Sequence, residues 1–420
     1  MIIKKNVVLI RFLNSKQNLP TKYIFALLYF LLSLIITRKI TLSNQLYKEV
    51  ISGDFKQASR RLVWYLQAII PMVQIADDKM FYFPVHDDSK VLKKQEEFID
   101  RVSRSSIGGG YFTRKLLLRS AYIHLSIEKN LQPEADESIT LFYDLVDQYL
   151  DFLRSDSLKF GDNDQVVLQG VDDGIKAGKR YIPFQQDFRN VGDVALVDFS
   201  NEFSLEEFSW FVTGGTCLGL AREGSLLSHD FDIDVGVFHS DSIYEELYKT
   251  ALTSNKFDCL KVDNFSAIEK RQDGWRIVSR PALLKLIHKN GVNIDIFFHY
   301  RSEGAVIHGS STISWSNTDF TCERGELSGV AVFYPSPVDK YLYEHYGNWK
   351  VVQKEFSCST DTNNMHVQRS FIGVSLLLQR LTPELADKFS RQKLLLSTLQ
   401  RAGVIKLDSH SWTCNRFFFE

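Results

Sequence analysis

The stretch FVTGGTCLGLAREGSLLSHDFDIDVGVF, residues 211–238, contains a Gly-Gly pair, an Arg-Glu pair and three alternating aspartates. An apolar segment ends at Gly214 and Gly215, a helical pattern follows from Thr216, and the last residues alternate apolar and acidic side chains. A period of two is typical of strands and a period near 3.6 of helices. The stretch therefore predicts strand, tight turn, helix and acidic strand, an order that favours an α/β or α+β domain with a mixed sheet.

The aspartates of this stretch are candidate metal ligands. Asp230, Asp232 and Asp234 fall on one face of the predicted strand, and Phe231 falls on the other. Like charges at neighbouring positions repel each other, so they need a cation or open solvent. Mg²⁺ binds to such carboxylates together with substrate phosphates, and ordinary solvated edge strands carry the same pattern. Asp295, in the second alternating segment NIDIF, is the candidate third carboxylate.

The glycines and the following helix predict a site for an anion. Gly214 and Gly215 permit a tight turn and a close approach of the backbone. A helix that begins near Thr216 would direct its N–H groups and its dipole toward a phosphate. Arg222 lies on the same helix, where its guanidinium either reaches a phosphate oxygen or pairs with a surface acid.

Taken together, these segments resemble the nucleotidyltransferase fold, and more narrowly the LicD/fukutin family. The similar segments are GGTCLGLAREG, HDFDIDVGV, VNIDIFFHY and the later YPSPVDKYLYEHYGNWK, all within roughly residues 195–360. The chain departs from the family at His229, where Trp is common, and at Phe231, where a fourth acid is common. Phe231 faces away from the aspartates, and His229 is either a structural residue or a substrate contact.

The resemblance implies a metal-dependent phosphotransferase. It would move phosphocholine or a polyol phosphate from a CDP-activated donor onto a hydroxyl of a glycan or lipid-linked saccharide, releasing CMP, in surface-polysaccharide or glycoconjugate modification. Asp232, Asp234 and Asp295 would be catalytic, and with Asp230 they would hold Mg²⁺ or Mn²⁺. Asp295 is also the candidate base.

The substrate-binding residues that the resemblance implies lie in three segments: Gly214, Gly215 and Thr216 in the turn, Arg222 on the helix, and Tyr346 and Trp349 in the later Tyr-Gly-Asn-Trp run. The turn and Arg222 would position the diphosphate. Tyr346 and Trp349 would form an aromatic wall for the donor base or acceptor sugar, or else a buried anchor. Two alternatives remain open: a nucleotidyltransferase that releases pyrophosphate, and a non-catalytic protein that binds glycans or acts as a scaffold.

Length and composition bound these interpretations. A chain of 420 residues predicts two or three domains. A net charge of −1 and the absence of a Lys/Arg stripe with interleaved aromatics disfavour nucleic acid as a partner. Five widely spaced cysteines without a C-x-x-C pair favour a reducing compartment, hence a cytoplasmic site. The alternative location is a membrane-anchored one in a secretory compartment, where relatives with an N-terminal anchor work.

The pattern along the chain predicts an α+β protein in which a helical domain precedes a nucleotidyltransferase-like mixed-sheet domain. The predicted units are an apolar N-terminal segment (1–40), a helical domain (41–157), a linker (158–190), the catalytic domain (191–362) and a C-terminal helical segment (363–420). Residues 23–37, YIFALLYFLLSLIIT, are uncharged and flanked by Lys22, Arg38 and Lys39. This segment is predicted as a buried helix, a membrane-associated segment or a short signal anchor.

Overall fold

The structure is a computed structural model, and it describes residues 19–52, 58, 62, 89–102, 109–156, 158–160, 166–168, 188–352, 356, 358, 361–379, 381, 392–408 and 411–419. The α-helices in this part of the chain are α1 (Leu19–Thr37), α2 (Ile40–Ile51), α3 (Ser89–Val102), α4 (Gly109–Glu128), α5 (Gln132–Asp156), α6 (Phe188–Glu202), α7 (Leu205–Phe208), α8 (Gly214–Glu223), α9 (Asp241–Thr253), α10 (Val338–Tyr346), α11 (Phe371–Gln379) and α12 (Gln392–Arg401).

The strands of the described chain alternate with these helices. They are β1 (Leu158–Phe160), β2 (Val166–Leu168), β3 (Phe211–Val212), β4 (Asp232–Phe238), β5 (Phe257–Arg271), β6 (Gly274–His288), β7 (Asn293–Ser302), β8 (Ala305–Gly309), β9 (Ile313–Thr318), β10 (Thr321–Leu327), β11 (Val330–Ser336), β12 (Met365–Val367), β13 (Ile405–Asp408) and β14 (Ser411–Cys414).

A ten-stranded mixed sheet forms the centre of the described chain. Its order is β10-β11-β3-β4-β7-β8-β9-β12, and the β5–β6 hairpin joins it through β6 and β7. β4 runs parallel to β7 and antiparallel to β3, while β3 runs parallel to β11. With its flanking helices, this sheet confirms the predicted α+β fold.

The alternating sequence of β4 explains how it lies in the sheet. Ile233, Val235 and Val237 are fully buried, whereas Asp232 and Asp234 are half-buried on the opposite face. A slip of the strand by one residue would turn both carboxylates into the apolar core. The hydrophobic pattern therefore sets the register that brings the acidic side chains to one face.

The β5–β6 hairpin extends from the sheet to the N-terminal helices. Each of its strands is 15 residues long, and the sequence analysis did not predict it. The Trp275 indole N–H donates to Asp136 of α5 at 2.7 Å, and the Trp275 backbone N–H donates to Gln132 at 2.8 Å. These bonds tie the helical region to the sheet.

The hydrophobic side chains form three clusters. One surrounds the β3, β4, β7 and β11 strands and includes residues of α6, α8, α9 and α10. A second joins α4 and α5 to β9, β12, α11, α12 and the β13–β14 hairpin. The third packs α1, α2 and α3 against α4. The N-terminal helices thus share a core with the C-terminal segment, and the boundaries at 157 and 363 stay predictions.

Two predicted segments differ from the structure or fall partly outside it. The C-terminal segment is not helical throughout, because residues 365–367 pair with β9 and residues 405–414 contain a hairpin. β12 is three residues long and pairs with a strand distant in the chain, whereas β13 and β14 are four residues each and pair with each other. Most of the predicted linker, 161–165 and 169–187, lies outside the described residues, and β1 pairs with β2 at its start.

The N-terminal region is helical where the structure describes it. α4 and α5 form a hairpin whose connection is Lys129–Leu131, and the ring of Phe112 lies 5.5 Å from that of Tyr149. α1 contains the apolar segment at 23–37. No helix in the described ranges has the length and apolar character needed to cross a membrane.

Candidate active site

The Gly-Gly turn joins β3 to α8 beside β4. Thr213 is extended, and Gly214 adopts a φ of +53°, a value that suits glycine. The N–H of Thr213 donates to the Asp234 carbonyl at 3.1 Å, which holds the turn against β4. The helix begins at Gly214, two residues before the predicted start at Thr216.

Three of the predicted carboxylates converge on one face of the sheet. Asp234 of β4 and Asp295 of β7 are paired residues in the parallel register, and Asp232 precedes Asp234 by two positions. One oxygen from each of the three lies within 4.8 Å of the others. We call Asp232, Asp234 and Asp295 the carboxylate cluster. Asp230 precedes β4 instead of lying on it, and it is not part of this group of three.

Burial and repulsion make the carboxylate cluster electrostatically costly. Burial, followed by the charges of Asp234 and Asp295, raises the pKa of Asp232 well above 3.8. Burial, followed by the charges of Asp295 and Asp230, raises the pKa of Asp234 to about 8. The cluster therefore favours a proton or another cation over three unaccompanied charges.

Lys285 of β6 supplies one positive charge to this cluster, and sequence reasoning missed it. Lys285 is registered opposite Asp295, and its Nζ lies 2.6 Å from Oδ1 and 2.8 Å from Oδ2 of that residue. Burial lowers the pKa of Lys285, but the charges of Asp295 and Asp232 outweigh it, so that the pKa is raised overall. A single lysine in the apolar strand segment PALLKLIH was the available signal.

The two glycines of the turn make room for carboxylates. A Cβ on Gly214 would lie 2.5 Å from Asp234 Oδ2, and a Cβ on Gly215 would lie 2.6 Å from Asp230 Oδ2. The Gly215 N–H donates to Asp234 Oδ2 at 3.2 Å. The turn therefore leaves room for the side chains of Asp234 and Asp230, and its Gly215 N–H orients Asp234.

Thr216 lies inside the fold and links α8 to β4. Its hydroxyl accepts a hydrogen bond from the Asp234 backbone N–H at 2.8 Å, and the residue is 1% exposed. The hydroxyl of Thr213 is hydrogen-bonded to that of Tyr341 on α10. These buried hydrogen bonds hold the turn against β4 on one side and α10 on the other. The Thr216 hydroxyl is therefore bonded to the backbone of β4.

Arg222 anchors the loop that follows α10. Its Nη2 donates to the carbonyl of Trp349 and, at 3.2 Å, to that of Val351. Burial lowers the pKa of this arginine. The structure thus joins two predicted substrate-binding residues, Arg222 and Trp349, through a backbone contact.

Tyr346 and Trp349 are half-buried against the core around β3, β4 and β7. The Tyr346 ring lies 4.5 Å from that of His345 and 5.1 Å from that of Phe356. Burial is the largest cause of a strongly raised pKa of Tyr346, and the charge of Asp234 adds to it. The observed contacts of the Tyr346 ring are therefore packing contacts with other aromatic rings.

A divalent cation fits the carboxylate cluster. Its ligands are hard carboxylate oxygens, which Mg²⁺ and Mn²⁺ prefer, and their separation lets one ion contact all three residues. Burial and the charges of Asp295 and Asp230 raise the pKa of Asp234 even with Lys285 nearby, which favours an added cation. Asp230, close to Gly215, lies at the edge of this site.

The histidines lie apart from this chemistry. His229 is exposed in the turn before β4, and no contact assigns it a role. Elsewhere in the sheet, His299 and His308 stack with ring centroids 4.2 Å apart, His308 stacks on Trp315 at 5.3 Å, and Trp315 lies 5.9 Å from His345. We call His299, His308, Trp315 and His345 the histidine stack. Its histidines are buried.

A mixed sheet, a Gly-Gly turn opening a helix and three converging carboxylates are the features that the resemblance to the nucleotidyltransferase fold predicts. Residues 207–327 match the family model described as LicD/FKTN/FKRP, nucleotidyltransferase domain. The match confirms the predicted family: this domain is a LicD/fukutin-type nucleotidyltransferase domain, and the family is one of transferases. A comparison with curated proteins found no match.

Proposed function

We propose that the protein is a metal-dependent phosphotransferase that moves phosphocholine or a polyol phosphate from a CDP-activated donor to a glycan hydroxyl. CMP would be the second product. The observation that carries this proposal is the carboxylate cluster, since a protein that only binds glycans has no need to bury repelling charges. The location of the cluster inside the family-matched segment supports it.

Asp232, Asp234 and Asp295 would hold Mg²⁺ or Mn²⁺, with Asp230 at the edge of the site. The cation would neutralise charge on the donor diphosphate and on the departing CMP. The chain contributes the placement of these ligands: β4 and β7 register Asp234 beside Asp295, and the Gly215 N–H fixes the orientation of Asp234.

The N-terminal end of α8 would position the donor. Its Gly215 N–H already contacts a carboxylate oxygen of the cluster, so the positive end of the helix dipole lies at the site. A diphosphate bound beside Asp234 would lie at the same helix end, where an anion is favoured. Gly214 and Gly215 leave space for this approach because a side chain at either position would collide with Asp234 or Asp230.

Asp295 would serve as a metal ligand, and its role as a general base stays a prediction. The ammonium of Lys285 contacts both of its oxygens. Lys285 would hold Asp295 in place while the glycan hydroxyl reacts. Arg222 would shape the loop carrying Trp349, and Tyr346 and Trp349 would form the aromatic wall for the donor base or acceptor sugar.

The test is metal-dependent CMP release. The purified chain is incubated with CDP-choline, CDP-ribitol or CDP-glycerol and a glycan mixture, with Mg²⁺ or with EDTA. We expect CMP from one donor with Mg²⁺ only, and we expect Asp232→Asn to lose about three orders of magnitude of rate while staying folded. Asp151→Asn is the matched control, because Asp151 is 59% exposed on α5 and pairs with Arg154 at the surface.

The other outcomes separate the alternatives. Pyrophosphate release from a nucleoside triphosphate would identify a nucleotidyltransferase instead. Glycan binding without either product would identify a binding or scaffold protein. CMP release that survives EDTA or Asp232→Asn would reject the carboxylate mechanism. A lipid-linked acceptor, a role in polysaccharide or glycoconjugate modification, and a cytoplasmic or secretory location stay predictions.

A further inference from the structure

α1 exposes a continuous apolar face. The exposed fractions are Tyr23 50%, Ile24 68%, Leu27 52%, Leu28 46%, Leu31 47%, Leu32 39% and Ile35 74%. These positions recur at the i, i+1, i+4, i+5 spacing that puts side chains on one side of a helix. We call these seven residues the α1 stripe. Single exposed hydrophobic residues are ordinary, whereas a stripe of seven is typical of an interaction surface.

The opposite side of α1 is packed against the protein. Ala26 and Ser33 are fully buried, and the ring of Phe30 lies 6.5 Å from that of Tyr47 on α2. Tyr29 and Ile36 pack on the same N-terminal cluster. α1 therefore lies along the protein with one face buried and the α1 stripe turned outward, an orientation suited to a surface parallel to the helix axis.

The exposed charged side chains of α2 and of the connection that precedes it are positive. In residues 23–52, the exposed charged side chains are Arg38, which directly follows α1, and Lys48 on α2. Lys39 lies between them and pairs with Glu97 of α3 at 3.1 Å. The one carboxylate in this range, Glu49, is 5% exposed. This edge of the protein thus offers basic groups and apolar groups together, the combination that binds anionic lipid.

A membrane fits the α1 stripe better than a second copy of the chain. Stable protein interfaces carry about one hydrogen bond per 100–200 Å² and a polar rim, and the stripe contains a single polar group, the Tyr23 hydroxyl. Acyl chains require no hydrogen-bonding partner. A tyrosine at the end of an apolar stripe is also typical of the lipid headgroup level.

We propose that α1 lies in the plane of an anionic membrane surface, with the α1 stripe inserted among the lipids and Arg38 and Lys48 near the headgroups. The helix stays packed on α2 in this arrangement and does not span the bilayer. This proposal is independent of the reaction proposed above. It would place the carboxylate cluster on a protein held at a membrane.

The test is co-sedimentation of the full chain with phosphatidylcholine vesicles, with and without phosphatidylglycerol. We expect binding to the vesicles that contain phosphatidylglycerol and weaker binding at high salt. The double variant Leu27→Glu/Leu31→Glu should bind them about tenfold less or worse, because two charges enter the inserted face. A wash at alkaline pH should release the wild-type chain from the vesicles.

The matched control is Leu141→Glu/Leu252→Glu, which makes the same chemical change at leucines 41% and 60% exposed on α5 and α9. We expect it to bind like the wild type. Equal binding by both double variants, or no binding by the wild type, would overturn the proposal. A wild-type dimer that becomes monomeric in Leu27→Glu/Leu31→Glu, without vesicle binding, would show that a second copy covers the stripe. Resistance to the alkaline wash would show insertion across the bilayer, and would also overturn it.

Discussion

The carboxylate cluster and the histidine stack are two groups of titratable side chains in or beside one sheet, and they accommodate burial differently. Burial lowers the pKa of His299 and of His345 to about 3, so these side chains are neutral near pH 7, and the His299 ring stacks on that of His308. The carboxylates instead lie close together with Lys285 as partner, and burial with the neighbouring charges raises the pKa of Asp234 to about 8. Histidine loses its charge by releasing a proton, whereas a buried carboxylate must gain a proton or a cation.

The difference indicates which group is built for chemistry. The histidines of the stack are neutral packed rings, although His299 Nε2, His308 Nδ1 and His345 Nδ1 each lack a hydrogen-bond partner. The carboxylate cluster is costly unless a cation joins it, and that cost is retained next to a turn that a side chain would block. A group of side chains whose burial costs free energy unless a ligand is bound is typical of a binding site, not of a hydrophobic core.

The largest expected effect comes from filling the space beside the cluster. In Gly214→Ala the new Cβ would lie 2.5 Å from Asp234 Oδ2 at a φ of +53°, so the carboxylate must move. A displacement of this size should lower the rate of CMP release about a hundredfold or more. It should also reduce the rise in melting temperature that Mg²⁺ produces, measured by thermal unfolding.

Gly224→Ala is the control for Gly214→Ala. Gly224 has a similar φ of +64°, but a Cβ added there would have no neighbouring atom within 4 Å. This variant should lose about 1 kcal/mol of stability through backbone strain and keep its activity and its response to Mg²⁺. The same activity in both variants would contradict the placement of Asp234 at the reacting centre.

A smaller effect, on stability, should follow from removing the partner of Asp295. Lys285→Met leaves a buried carboxylate without its counter-charge and should lower the free energy of unfolding by about 3 kcal/mol in EDTA. Mg²⁺ should restore part of this loss. Urea unfolding with and without Mg²⁺ measures both values.

His308→Phe tests the other half of the comparison. Because His308 is buried with a lowered pKa, a ring of similar shape replaces it without removing a charge. Its unfolding free energy should change by less than about 1.5 kcal/mol. If His308→Phe lowered the free energy of unfolding as much as Lys285→Met does, the contrast between the histidine stack and the carboxylate cluster would be wrong.

Measured per pH unit, the pH dependence of stability is a small effect, and its sign differs between the two groups. The pKa of Asp234 is raised from 3.8 to about 8 in the folded state, so folding takes up a proton and stability falls as pH rises through this window. The pKa of His299 is lowered from 6.5 to about 3, so its contribution is present above 6.5 and is lost as pH falls. Each slope is about 1.4 kcal/mol per pH unit at most.

Thermal unfolding from acid to alkaline pH, in EDTA and in Mg²⁺, measures both limbs. Between pH 6.5 and 8 the carboxylate contribution dominates, and Mg²⁺ should flatten this limb because it replaces the proton. The acid limb of the histidines should remain in Mg²⁺. If the ion altered both limbs equally, the assignment of the cation to the carboxylates would be wrong.

Much of the fold and of the site could be predicted from local patterns. The strict alternation around Asp232 and Asp234 predicted a strand, and the register of β4 with β7 confirms that Asp295 lies beside them. Strand boundaries were less accurate, since Asp230 precedes β4. The long β5–β6 hairpin was not predicted. Its strands are held by pairing with each other and by contacts with α5, and short-range periodicity does not reveal such contacts.

The sequence by itself determined the α+β class, the family, the Gly-Gly turn and the three carboxylates, because each depends on residue types at short spacing. Only the tertiary structure decided that Lys285 pairs with Asp295, that Arg222 holds the Trp349 loop and that the α1 stripe faces outward. Those contacts join residues that are distant in the chain or depend on which helix face is covered. Which residues meet in these contacts depends on how the chain packs, and a local sequence pattern does not determine it.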